Sequence, residues 1–208
     1  MSPYAADRRT QLLTAAAACF ARRGVAAATV DEIVTAAGVT PVILYRHFGN
    51  KDGLVHALVE EWATDRLQRG ADALAAPSSA AALEAWLALL IDPHPASWTR
   101  VRDDARLSLA IIDAAARDRA LATRLRRADD AMREQLERAI ARAQTDGHVT
   151  TRLDADATAE LLIALADGLV VRAALMTRRD APRITQLAHE FRVLADQALH
   201  RMPIPDSP

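Results

Sequence analysis

The chain has 208 residues, a single cysteine and almost balanced charge, 26 Lys and Arg against 27 Asp and Glu, for a formal net charge of −1. One cysteine excludes an internal disulfide and a cysteine-built zinc site, and a near-neutral total excludes any argument for nucleic-acid binding from global charge, so such a surface has to be local. The start of the chain has no apolar core ahead of its charges and the run Leu161 to Ala166 is broken by Asp167, so neither secretion nor a membrane contact is expected, and the expected compartment is cytoplasmic.

Glycine is scarce, alanine and leucine are abundant, and no stretch alternates with period two for long, which predicts an all-α chain of about nine helices. The first helix carries Leu12, Leu13, Ala16, Cys19 and Phe20 at three- and four-residue spacing and stops at Gly24. Thr29-Val30-Asp31-Glu32 opens a second helix as a capping box, in which hydroxyl and carboxylate each satisfy an orphan backbone N–H; its apolar face is Val30, Ile33, Val34 and Ala37. Gly38 ends it. A third helix begins with Thr40 as cap and Pro41 in the first turn, where a missing N–H costs nothing. Asn50 caps a fourth, striped by Leu54, Leu58 and Trp62. Later breaks fall at Ala75 to Ser79, Asp92 to Pro95, Gly147 and Arg178 to Pro182, leaving long amphipathic stretches over 119–145 and 155–177.

Two short helices joined through Ala37-Gly38-Val39 form a helix-turn-helix. Val39, Leu44 and Phe48 face back onto Ile33, Val34 and Phe20, which leaves Thr40, Pro41, Val42, Ile43, Tyr45, Arg46 and His47 on the free side. Val42 and Ile43 are poorly placed on a solvated helix, yet they suit van der Waals contact with thymine methyls in a major groove.

These residues resemble the TetR family of one-component regulators, through Gly38-Val39 followed by Leu44-Tyr45-Arg46-His47-Phe48-Gly49-Asn50-Lys51-Asp52-Gly53-Leu54. The preceding Phe20-Ala21-Arg22-Arg23-Gly24 and Thr29-Val30-Asp31-Glu32-Ile33 keep the same order and spacing, so the likeness spans about residues 7–60. The resemblance implies an N-terminal helix-turn-helix DNA-binding domain at 1–50, a C-terminal helical effector-binding and dimerisation domain at 51–202, and a frayed tail at 203–208. It implies that Thr29, Tyr45 and Lys51 touch phosphates while Thr40, Pro41, Val42, Ile43 and His47 lie near base edges. Arg46 has reach for either. Pro41-Val42-Ile43 departs from the family's common small or polar residues and points to hydrophobic and shape readout.

The resemblance further implies a homodimer on a palindromic double-stranded operator, a small-molecule effector, and no cofactor or metal. Pocket candidates are Trp86, Trp98, Arg106, Ile111, Asp113, Met132, Leu136, Leu165, Asp167 and Met176; dimer-interface candidates are Leu161, Leu162, Leu169, Leu187, Phe191 and Leu194. Ordinary core packing accounts for many of these equally well. Enzyme signatures are missing: His189-Glu190-Phe191-Arg192-Val193 starts like a zincin helix but has Val where the second histidine ligand must stand. Cys19 reads as a buried small hydrophobe, with a redox sensor as the alternative. The expected function is therefore a ligand-responsive repressor, with an activator, a constitutive regulator, or a helical enzyme or carrier as alternatives.

Overall fold

A computed structural model describes residues 3–89 and 98–199. Among them are nine α-helices: α1 (Pro3–Ala27), α2 (Val30–Ala37), α3 (Pro41–Phe48), α4 (Lys51–Leu74), α5 (Ser79–Ala88), α6 (Trp98–Ala115), α7 (Arg119–Thr145), α8 (Ala155–Leu175) and α9 (Ala181–Leu199). The expected break at Asp92 to Pro95 and the tail at 203–208 lie outside the described residues.

The helix boundaries follow from capping chemistry. Gly24 takes φ 76°, ψ 162° and interrupts α1, although Val25 to Ala27 return to helical geometry. The hydroxyl of Thr29 accepts from the Glu32 N–H at 3.2 Å while the Thr29 N–H donates to the Glu32 carboxylate at 2.9 Å, so both halves of the capping box are present. Gly38, left-handed at φ 64°, closes α2, and the Val39 N–H donates to the Val34 carbonyl at 3.0 Å. Ser78 caps α5 through the Ala81 N–H, and Asp154 caps α8 through the Ala157 N–H at 2.8 Å. Within the segment Arg178 to Pro182, Arg178–Asp180 form a turn of 3-10 helix that leads directly into α9, and Pro182 lies in the first turn of that helix, so it marks a helix beginning rather than an ending.

The chain divides into two compact units, one of residues 1–65 and 102–127, the other of 66–101 and 128–208. This line differs from the one drawn at residue 50, because α4 extends well beyond Lys51 without interruption and part of α6 and α7 packs with the N-terminal helices. The core of the first unit holds Leu12, Leu13, Cys19, Phe20, Ile33, Val34, Leu44, Leu54, Val59, Ile111 and Leu121. The core of the second holds Leu74, Leu83, Trp86, Leu87, Met132, Leu136, Ile140, Val149, Leu162 and Ile163. Each fully buried leucine contributes on the order of 2 kcal/mol by leaving water. Cys19 is buried within the first core and accepts a long hydrogen bond of 3.5 Å from Arg22.

Candidate nucleic-acid interface

α3 is held from behind. Leu44 is completely buried, Phe48 and Val39 pack partly against the same core, and Arg9 lies over the Phe48 ring at 5.8 Å while pairing with Glu61 on α4 at 3.0 Å. The turn into α4 is equally fixed. The Gly49 N–H donates to the Tyr45 carbonyl at 2.8 Å, and the Asn50 side-chain oxygen accepts from the Gly53 N–H at 2.7 Å. At Gly53 an added Cβ would lie 2.0 Å from the Phe48 carbonyl oxygen, so only glycine permits α4 to start this close to the end of α3. The result is a short helix with a pinned inner face and a defined outer one.

On that outer face Val42 is 71% exposed and Tyr45 50%, with Thr40, Pro41 and Arg46 also exposed. Ile43 differs from its expected placement: it is half-buried and packs against the first core. His47 is half-buried too, and its Nε2 has neither solvent nor a hydrogen-bond partner, so that nitrogen is not displayed outward. A helical wheel explains both. At about 100° per residue, Ile43 and His47 share one flank of α3 next to Leu44, whereas Val42 and Arg46 stand nearly opposite it.

Of the three expected phosphate ligands, Thr29 and Lys51 sit at helix starts and Tyr45 lies within α3. Thr29 is exposed at the start of α2, and its hydroxyl oxygen serves the cap while its O–H remains a donor. Thr40 caps α3 by backbone geometry alone, with no side-chain cap bond. Lys51, the first residue of α4 and the only lysine in the chain, donates from Nζ to the Ala26 carbonyl at 3.3 Å, which steadies its position with two ammonium protons to spare. Two basic residues of the motif that were not expected as DNA contacts adjoin this region: Arg22 and Arg23, both exposed towards the end of α1, with Arg23 paired to Glu32. The Thr29 backbone N–H holds the Glu32 carboxyl below its usual range against the opposing effect of burial, helped by the Thr29 hydroxyl and by Arg23 and Arg22. The pattern Arg-Arg-Gly before a capping box was the available signal for these arginines.

The expected pocket residues are divided between the two units. Trp86, Met132 and Leu136 belong to the core of the second unit, but Ile111 belongs to the core of the first. Asp113 is exposed and paired with Arg117, its neighbour one turn on; Asp167 is exposed and paired with Arg66 at 3.3 Å. Arg106 and Met176 are half-buried. Leu165 is 53% exposed and faces away from the core. The side chain of Trp98 lies outside what the structure describes. One polar atom went unnoticed in the sequence: the Gln135 side-chain oxygen is buried with no partner, and a Cβ at Gly70 would sit 3.6 Å from it and 3.7 Å from the Trp86 indole nitrogen.

The expected interface residues also separate. Leu162 and Leu169 are buried within the second unit, and Leu187 and Phe191 are half-buried, Phe191 against that unit's core. Leu161 and Leu194 are 64% and 63% exposed, joined on the outer side of α8 by Leu165 and by Leu175 at 77%.

A buried-backed second helix, a left-handed glycine turn and an outward polar and apolar ridge define a helix-turn-helix regulator. Comparison with known proteins agrees. Residues 12–58 match the family of bacterial regulatory proteins of the tetR type, and residues 97–194 match the C-terminal domain of BetI-type transcriptional repressors. The chain belongs to the TetR family. Among curated relatives, the transcriptional repressor KstR2 of Rhodococcus jostii is 40% identical over 72 residues, covering 31% of this chain and 35% of that protein. The transcriptional activator FasR of Mycolicibacterium smegmatis is 46% identical over 54 residues, covering 26% of this chain and 25% of that one. The chain thus spans about a third or less of the length of these two relatives. A TetR-family transcriptional regulator from Rhodococcus sp. has the same fold along its whole length, with a TM-score of 0.68, 26% identity, and coverage of 93% of this chain and 99% of that one. Among the described residues no helix is long and apolar enough to cross a membrane.

Proposed function

We propose that this chain is a homodimeric, ligand-responsive repressor that occupies a palindromic operator. The observation that carries the reading is the outer face of α3, where Val42, Tyr45 and Arg46 are exposed on a helix whose opposite side is anchored by fully buried Leu44. An exposed valine on so short a helix has little structural purpose, and it has an obvious partner in the floor of a major groove. Thr29, Tyr45 and Lys51 supply phosphate contacts that fix register without reading sequence.

Dimerisation is assigned to the outer stripe of α8, Leu161, Leu165 and Leu175 with small Ala164 and Gly168 between them, together with Leu194 of α9. Leucines this exposed, at helical spacing, form a coherent apolar face, and a Cβ at Gly168 meets nothing within 4 Å, so the groove there is open to a partner helix. Two half-sites about one helical turn (~34 Å) apart require such a two-fold assembly. For the effector, the site favoured within the second unit is the neighbourhood of Trp86 and Gln135, where an unpartnered acceptor and an indole nitrogen lie close to the same glycine. Effector and operator then oppose each other by linkage.

The test is binding of purified protein to duplexes from around its own gene at several salt concentrations. Specific binding should weaken as salt rises, and Lys51→Ala should weaken all duplexes alike and lower the salt slope by about one unit. Indifference to every duplex at low salt would falsify the reading. Deleting the gene should raise expression of the bound promoter. A fall instead would favour activation, the role named for the FasR relative.

A further inference from the structure

We infer that α3 reads a thymine and a guanine in each half-site, through a ridge made of Val42 and Arg46. This rests on the DNA-binding reading above and adds what that surface recognises. Base edges in the major groove are distinguished by side-chain chemistry: Asn or Gln for adenine, Asp or Glu for cytosine, Arg or Lys for guanine, and apolar groups for the thymine methyl. From Pro41 to Phe48 there is no Asn, Gln, Asp or Glu. The first two bases in that scheme have no reader on this helix.

What remains is narrowed by placement. Ile43, the other aliphatic residue near the surface, packs into the core, and His47 has its Nε2 shielded, so neither is presented as Val42 is at 71% exposure. Tyr45 lies on the other flank, where its phenol suits the backbone. Val42 and Arg46 are four residues apart on the side opposite Leu44, hence adjacent on one ridge. Four residues advance the helix about 6 Å, against about 3.4 Å per base pair along the duplex. The thymine and the guanine therefore fall within about two base pairs of each other. Val42 contributes the methyl contact; the guanidinium of Arg46 donates to guanine O6 and N7.

Selection of bound duplexes from a random pool by the purified full chain supplies the operator, expected as a palindrome carrying that pair in each half. Replacing the thymine by deoxyuridine removes only its methyl and should lower affinity about fourfold per half-site, the effect of one buried methyl group. In Val42→Ala, which is exposed enough to leave the fold intact and retains only one methyl, the same replacement should cost less than half as much in free energy, under twofold per half-site. Replacing the guanine by 7-deazaguanine, which lacks the N7 acceptor, should lower affinity about tenfold for the unaltered chain and leave Arg46→Ala unaffected. A selected palindrome lacking either base, or a deoxyuridine penalty as large in Val42→Ala as in the unaltered chain, overturns the inference while the DNA-binding reading stands. Enrichment of no duplex at all overturns both.

Discussion

A single methyl group at position 53 would sit 2.0 Å from the Phe48 carbonyl oxygen, against backbone that cannot move aside without shifting α3. Gly53→Ala is accordingly expected to destabilise the chain by about 2–3 kcal/mol and to weaken operator binding although a glycine has no side chain to reach a base. Thermal unfolding and a binding titration check the two parts separately. Tyr45→Phe is the opposite case: the ring stays, only the hydroxyl goes, and affinity should fall about tenfold for all sequences alike with unfolding unchanged. At this scale much was legible. Leu44 as the inward anchor and Val42 as an outward residue followed from spacing alone, because a buried stripe on a short helix leaves few alternatives. Ile43 was misplaced outward because counting residues as facing in or out ignores flanks, and on a narrow helix an aliphatic flank residue folds down onto its own core. The orphaned Gln135 oxygen left no trace in the sequence, since hydrogen-bond satisfaction depends on neighbours that come from other helices.

Of the two eight-residue helices, α2 is the one held by a side-chain cap, and so short a helix depends on it. Thr29→Ala should cost about 1 kcal/mol, read as a lower unfolding midpoint. Three carboxyls at helix starts share a second property. Glu32, Asp118 and Asp180 are all held below their ordinary values chiefly by backbone N–H groups, of Thr29, Leu121 and Thr177 respectively. Asp118 also binds His56 of α4 at 2.8 Å and the Ala120 N–H at 2.8 Å. Since the folded pKa of each lies below its unfolded value, their stabilisation is present above the unfolded carboxylate range and is lost as pH falls through the folded pKa. The unfolding midpoint should therefore drop on acidification below about pH 4.5, and Asp118→Asn should flatten that dependence. A midpoint insensitive to acid would contradict the assignment. The capping box and the glycine stops were readable because caps are local chemistry. Which side of α8 faces outward was not, because Leu161, Leu162, Ile163, Val170, Val171 and Leu175 surround the helix and an apolar face on every side carries no phase.

At the level of the whole molecule, the division into units shows the limit of reading along the chain. Residues 102–127 join the N-terminal helices in one compact unit, with Ile111 and Leu121 fully buried there. Periodicity announces that α6 and α7 have an apolar face but not which distant segment covers it. The expected dimer gives a prediction at the same scale. Leu161→Asp with Leu175→Asp, both at exposed positions, should leave a folded monomer by light scattering whose operator affinity falls by at least tenfold, because two half-sites are no longer held as one ligand. A dimer that persists would relocate the interface.

Because Lys51 is the sole lysine and stands at the head of α4, beside the groove-facing helix, amine-directed reagents have just one side chain to find in the entire polypeptide. Acylation there modifies one side chain, told apart from the α-amino group by peptide mass: duplex bound at α3 should shield it, and its neutralisation should release the duplex. The molecule thus carries a built-in reporter of its own occupancy, readable in the peptide that contains Lys51.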